Sequence, residues 1–168
     1  TCALPIFTRF ISEPIDGVNY VFSTTKANTV TKVGNTFTFE NLGIHQGVPV
    51  TQQFSVANNN KRFTLASANV DIDTLAVTVQ ESISNSYTTN YTLSQDLTEL
   101  KANSTVYFIE ESSDANGSYT LYFGDGILGK SLSNGNIVLA KYLDVAGSAS
   151  NKANNFSAIG SIAGYAEN

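Results

Sequence analysis

Alternation with a period of two, broken at short intervals by Asn-Gly and Asp-Gly pairs, constrains this chain more than any other feature. Leu75-Ala76-Val77-Thr78-Val79 sets its aliphatic side chains at alternate positions, and Thr36-Phe37-Thr38-Phe39-Glu40 does the same with two phenylalanines against threonine. Successive residues of a strand point to opposite faces, so such runs suit a half-buried sheet and do not suit a helix. Stretches of β-branched and aromatic character also cover 18–23, 48–56, 62–66, 87–93, 105–111, 118–123 and 136–143. Between them lie Asp16-Gly17, Gly34-Asn35, Asn58-Asn59-Asn60, Asn116-Gly117 and Asn134-Gly135, residues that accept positive φ and mark tight turns. The pattern predicts a mainly β fold: antiparallel hairpins or a meander, in a β-sandwich-like or two-lobed arrangement with at most one or two short helices. The clearest hairpin runs from 105–111 through 112–117 into 118–123. Only 94–100 has a helical start, with Ser94 as N-cap and Leu97 and Leu100 on one face.

The chain has 168 residues, 42% of them hydrophobic, enough for one substantial domain or two small lobes. Trp and Met are absent while Phe occurs ten times and Tyr eight, so aromatic packing is expected to dominate the core. A composition shift near Asn69 to Asp73 predicts an N-terminal β lobe over 1–70 and a C-terminal β lobe over 71–146. The last stretch, 147–168, is small and polar and reads as a flexible linker or an arm ordered by a partner. A first residue of Thr1 and the absence of methionine lead us to expect a segment of a longer polypeptide.

Charged residues make up only 14%, and polarity comes from Ser, Thr and Asn, which form about a third of the chain. Nine basic against fourteen acidic residues give a net charge of −5, and the basic ones are scattered. Nucleic acid binding needs a concentrated basic face that releases counterions, so no nucleic acid partner is expected. Cys2 is the only cysteine, which excludes an intrachain disulfide framework and fits assembly in a cytosol. No apolar run approaches the roughly 18 residues of a spanning helix, so no membrane contact is expected.

Gly124, Gly126 and Gly129 spell G-x-G-x-x-G, the spacing that cradles a dinucleotide pyrophosphate. That use requires a helix directly after the loop, and here a further strand-like run follows instead. The loop therefore reads as a strand-to-strand connection, with at least one of the three glycines at positive φ and Asp125 bonded to nearby amides. Asp114, Asn116 and Asp125, or Asp71 and Asp73, offer oxygen ligands for calcium, but no D-x-D-x-D-G-x5-E loop is present. His45, the sole histidine, lies beside two glycines as an ordinary loop residue would. It has no G-x-S-x-G elbow for a triad, and no C-x-x-C or H-x-x-x-H spacing for zinc. Glu110 and Glu111 point to opposite faces of a strand, and nothing selects Asp96 or Asp125 as a glycosidase partner. Tyr107, Tyr119 and Tyr122 read as sheet-face packing rather than a sugar groove. The sequons at Asn90, Asn103, Asn116 and Asn155 occur about as often as chance allows in such a composition, and none is read as used. No catalytic, cofactor-binding or metal residue is thus expected.

A wider window is more specific. Tyr119-Thr-Leu-Tyr-Phe-Gly-Asp-Gly-Ile-Leu-Gly-Lys-Ser-Leu-Ser-Asn-Gly-Asn-Ile137 resembles the aromatic-Phe-Gly-Asp-Gly-x-x-Gly-x-x-Leu/Pro-x-x-Gly signature of baseplate J-like proteins. These are wedge subunits of contractile-tailed, T4-like bacteriophage baseplates. Phe123, Gly124, Asp125, Gly126, Gly129, Leu132, Gly135 and Asn136 carry the likeness as a structural motif loop. The flanks, Val106-Tyr-Phe-Ile-Glu-Glu111 and Asn136-Ile-Val-Leu-Ala-Lys-Tyr-Leu143 with Gly147, agree with it. Leu4-Pro-Ile-Phe-Thr-Arg-Phe10, followed by Asp16-Gly17-Val-Asn-Tyr-Val-Phe22, resembles the family opening Pro-x-Gly-Thr-x-Phe. Phe7 stands where that glycine is usual, so a different first turn is expected. Residues 45–100 match only in general character.

The resemblance implies an internal β module of a longer wedge protein, without catalysis or cofactor. It implies contacts with other baseplate wedge subunits and copies of the parent chain, oligomeric in the tail, and repacking when the sheath contracts. The place implied is the virion's tail baseplate, after synthesis in the host bacterial cytoplasm. The alternative, suggested by the Tyr content and the Ser/Thr/Asn surface, is a receptor- or glycan-binding β-domain of a phage tail fibre or adhesin.

Overall fold

The structure is a computed structural model that describes residues 1–58, 60–112 and 117–162. The chain is mainly β. Its strands are β1 (Cys2–Leu4), β2 (Arg9–Ser12), β3 (Val21–Thr24), β4 (Asn28–Val30), β5 (Ile44–Gln46), β6 (Val48–Ser55) and β7 (Arg62–Thr64). There follow β8 (Val70–Ser82), β9 (Asn85–Leu93), β10 (Val106–Glu111), β11 (Tyr119–Phe123), β12 (Ile137–Asp144) and β13 (Phe156–Ala158). The one helical element among the described residues is a 3-10 turn at Gly147–Ser150.

Two compact units form, and neither matches the lobes expected from composition. One combines Thr1–Pro49 with Leu143–Asn168, and the other is Val50–Tyr142. The expected boundary near residue 70 falls inside the second unit because β7, upstream of it, pairs with β11, downstream of it. Strand pairing over long sequence separation set this division, and local composition carries no trace of it. Likewise 147–162 is not simply a linker, and the rest of the expected arm, 163–168, lies outside the described residues. Phe156, Ser157 and Ala158 pair with Ser12, Ile11 and Phe10, and the Phe156 ring meets Phe22 edge-on at 4.7 Å.

The second unit is built on a seven-stranded sheet in the order β6-β12-β8-β9-β10-β11-β7, curled into a nearly closed barrel. Its seam lies between the two edge strands, β6 and β7. Gln52 on β6 reaches across it, its Oε1 accepting the Ala66 amide at 3.0 Å, while Phe54 meets Phe63 at 5.2 Å. The inner face packs Phe63, Leu65, Val77, Tyr91, Tyr107, Leu121, Phe123 and Tyr142, all buried. This aromatic core accords with the composition.

The sheet is not a pure antiparallel meander, since β9 and β10 run parallel through Thr92↔Val106 and Leu93↔Tyr107. A parallel pair requires the chain to return before re-entering the sheet, and 94–105 makes that return. The helix expected at 94–100 is absent. Asp96 Oδ1 accepts both the amide and the hydroxyl of Thr98, at 2.8 and 2.7 Å, and Ser94 Oγ donates to the Asp96 carbonyl. Those side chains offer the backbone a local alternative to helical bonding.

In the first unit a four-stranded sheet, β13-β2-β3-β5, accompanies a two-stranded pair, β1-β4. Two tight hairpins stand where Asp16-Gly17 and Gly34-Asn35 predict them. Ile15 and Val18 exchange bonds at 2.8 and 3.0 Å, and Val33 and Thr36 at 3.0 and 3.1 Å. The strand expected at 36–40 does not form. After the Val33↔Thr36 bridge the backbone runs without ladder pairing to a turn at Asn41, whose φ is 54°. His45, read as a loop residue, lies on β5 opposite Ser23, on the exposed edge of the sheet.

Candidate functional site

The glycine-rich stretch after β11 is the best-marked feature of the sequence, and the structure shows how each residue of it is used. Phe123 ends β11 inside the core, against Tyr91 and Phe63. Gly124 then passes so close to the returning chain that an added Cβ would lie 2.3 Å from the Gly129 carbonyl. Only a residue without a side chain fits there. Gly126 and Gly129 have φ of 94° and 87°, and the Gly126 amide donates to the Gly129 carbonyl at 3.0 Å. Asp125 fills the centre, its Oδ1 accepting the amides of Ile127 at 2.8 Å and Leu128 at 2.9 Å. Those charge-assisted bonds, Leu128 first, hold the carboxyl below its usual range, with Lys61 adding a smaller attraction.

The loop is also fastened to its surroundings. Gly129 and Lys130 donate their amides to the carbonyls of Lys101 and Ser104, at 3.1 and 2.8 Å. Leu132 is buried. Asn136 closes the next turn, its Oδ1 accepting the Ser133 amide and its Nδ2 donating to the Glu81 carbonyl, both at 2.8 Å. Gly135, at φ 89°, donates to the Val56 carbonyl.

An anion-binding loop presents several free amides in one concavity at the start of a helix. Here the amides of Gly126, Ile127, Leu128, Gly129 and Lys130 are already bonded within the chain, and β12 follows rather than a helix. The connection runs strand to strand. What it leaves in solvent are the side chains of Ile127, 74% exposed, and Leu128, 43% exposed. These occupy the two unspecified positions of the motif, which is why motif reading alone gave them no role.

The other candidates are dispersed. Asp71 Oδ1 accepts the Asp73 amide at 3.1 Å within β8, and Asp114 and Asn116 lie outside the described residues. Among the described residues no three His, Cys, Asp or Glu side chains come together as ligands. Glu110 forms an ion pair with Arg62 on the outer face, where Arg62 also lies over the Tyr122 ring and Tyr122 stacks on Phe108 at 5.0 Å. Tyr107 belongs to the core, as does Tyr91, and burial pushes both hydroxyls above their ordinary pKa. Cys2 is buried and unpaired.

A scan against protein-family models finds none that matches this chain, and no curated protein sequence matches it.

Proposed function

We propose that this chain is an internal structural module of a contractile-tail baseplate wedge and acts through protein contacts rather than chemistry. The observation that carries the reading is the loop of residues 123–136. Its motif residues are consumed in holding one rigid shape, and that shape exposes two large aliphatic side chains, Ile127 and Leu128. A rigid, polar-satisfied turn with an apolar tip suits insertion into a neighbouring subunit, where a few well-packed anchors dominate binding energy. The likeness of 119–137 to the baseplate J-like signature supplies the identity of those neighbours: other wedge subunits and further copies of the parent chain, in the virion's tail baseplate. No cofactor, nucleic acid or membrane enters this function.

The test is assembly. The chain is combined with the neighbouring wedge subunits and complex formation is followed by sedimentation, for the parent sequence and for Ile127→Asp with Leu128→Asp. Association that the double variant abolishes supports the proposal. A chain that binds no wedge subunit, or binds it equally well with both aspartates in place, overturns it.

A further inference from the structure

The far end of the β8–β9 hairpin forms one side of a cleft. The hairpin's inner face begins in the core with the opposed pair Val77↔Tyr91 and continues to Val79↔Thr89. Beyond that point the register slips, since Gln80 faces Thr88 whereas Ser82 faces Asn85, so β9 gains one residue over β8. A bulge of this kind bends a strand and re-aims its side chains. Here it sets Tyr87, 70% exposed, and Glu81 above the end of the core. The chain leaving the glycine loop, 130–136, forms the opposite wall. The cleft between them has a volume of about 260 Å³.

Its chemistry is mixed. The floor is apolar and buried, made by Val79 and Tyr91. On one wall stand the Tyr87 ring and the Glu81 carboxylate, one oxygen of which accepts the Asn85 side-chain amide and so fixes its direction. On the other stand Lys130 and Ser133, and among the described residues neither the ammonium nor the Ser133 hydroxyl has a hydrogen-bond or ion-pair partner. The wall to which Ser133 belongs is itself pinned, because Asn136 ties this segment to the Glu81 carbonyl.

We infer that this cleft is a binding site for a single pyranose ring. The opposed Glu81 and Lys130 charges disfavour a strongly anionic or cationic ligand and favour a neutral one that both donates and accepts hydrogen bonds. A sugar hydroxyl does both. The exposed face of Tyr87 offers a platform for the C–H face of a sugar, whose weakly positive hydrogens suit the negative face of an aromatic ring. The volume lies below the roughly 300 to 1,000 Å³ of sites for drug-sized ligands, which limits the occupant to about one ring. Barrel mouths are a frequent place for such sites. The inference stands apart from the wedge reading, since it uses neither Ile127 nor Leu128, and either can fail without the other.

The test is titration of the isotopically labelled chain with D-glucose, D-galactose and N-acetyl-D-glucosamine, followed by amide chemical shifts. At least one sugar is expected to shift residues 79–91 and 130–136, with a dissociation constant on the order of 1–10 mM. Tyr87→Ala is expected to weaken that binding at least tenfold and Glu81→Gln severalfold. Leu121 amide shifts unchanged in both variants show the barrel intact. A free sugar and the end residue of a polysaccharide share this chemistry. Methyl glycosides and a tetrasaccharide separate them, since binding kept in both identifies a polysaccharide end, and binding lost in both identifies a free sugar. No shift with any of the three sugars up to roughly 100 mM overturns the inference. So do shifts that Tyr87→Ala leaves unchanged, or perturbation of these residues by a wedge subunit alone.

Discussion

The two compact units reach stability by different means. The unit of residues 50–142 has strands of up to thirteen residues and an inner face of aliphatic and aromatic side chains. No buried polar or charged residue falls within it among the described residues. The unit formed by 1–49 and 143–168 has pairing strands mostly three or four residues long, and all four buried polar residues, Ser12, Ser23, Thr24 and Ser150, belong to it. Each hydroxyl there is bonded. Thr24 Oγ1 donates to the Pro5 carbonyl and accepts the Thr8 amide, at 2.8 and 3.0 Å, and Ser23 Oγ donates to the Gly47 carbonyl at 3.1 Å. A long strand draws register from alternating burial, whereas a three-residue strand has too few alternations to do so. Directional side-chain bonds to backbone supply what hydrophobic pattern lacks.

This contrast is open to direct attack, beginning in the barrel core. Leu121 is fully buried, so Leu121→Ala should cost about 2–5 kcal/mol of unfolding free energy in denaturant titration. A loss well under 1 kcal/mol would show that the barrel core is loosely packed and the contrast misplaced. Gly124→Ala comes next, at about 1–3 kcal/mol, because the new Cβ meets backbone that cannot move aside. Hydrogen exchange should show the damage first at the Gly126, Ile127 and Leu128 amides.

In the other unit, Thr24→Val keeps shape and removes the hydroxyl, leaving the Pro5 carbonyl without that donor. Roughly 1–3 kcal/mol is expected to be lost. An unchanged midpoint would mean that hydroxyl bonds do not hold this unit. Phe7 supplies a smaller effect with the opposite sign. Its φ is 64°, in the region that favours glycine, and the Thr8 amide closes the turn onto the Pro5 carbonyl at 3.2 Å. A non-glycine residue thus holds a backbone conformation that favours glycine. Holding a non-glycine residue there costs about 1–2 kcal/mol. Glycine loses more chain entropy on folding, by roughly 0.5–1 kcal/mol, so Phe7→Gly should stabilise by at most about 1.5 kcal/mol. Destabilisation would show that the half-buried ring contributes more than the strain removes.

The smallest effect is on the loop's response to acid. The Asp125 carboxyl is lowered in the folded chain by the Leu128 and Ile127 amides. A depressed folded value means that its contribution is complete above the ordinary carboxylate pKa and disappears as pH falls through the lowered one. Corrected for intrinsic rates, exchange protection of the Ile127 and Leu128 amides should persist below the ordinary aspartate range and vanish only in stronger acid. Loss of protection near the ordinary value would show that these bonds do not favour the charged form.

The same contrast governs what could be read in advance. The runs at 48–56, 62–66, 87–93, 105–111, 118–123 and 136–143 correspond to β6, β7, β9, β10, β11 and β12, all but the tips of β6 and β12 within the barrel unit. In the other unit β1, β2, β4, β5 and β13 carry no alternating run long enough to mark them, and the alternation at 36–40 forms no strand. A strand such as Asn28-Thr29-Val30 holds its place by partners at Cys2 to Leu4, and nothing in its own composition records them. Local alternation is informative only where it is long enough to define a buried face.

The glycine loop was legible for a different reason. Positive φ, a close backbone approach and an Asx turn are demands made within a dozen residues, and the residue types that meet them are few. By itself, then, the sequence determined the β class, the two-residue hairpins and the internal build of the 123–136 loop, because each depends on local steric preference. Only the tertiary structure decided that the chain leaves and re-enters one unit, that β9 and β10 run parallel, and that Glu81, Tyr87, Lys130 and Ser133 face a common cleft. Those outcomes depend on pairings between residues far apart in the chain, whose selection is made by burial and closure of the whole sheet.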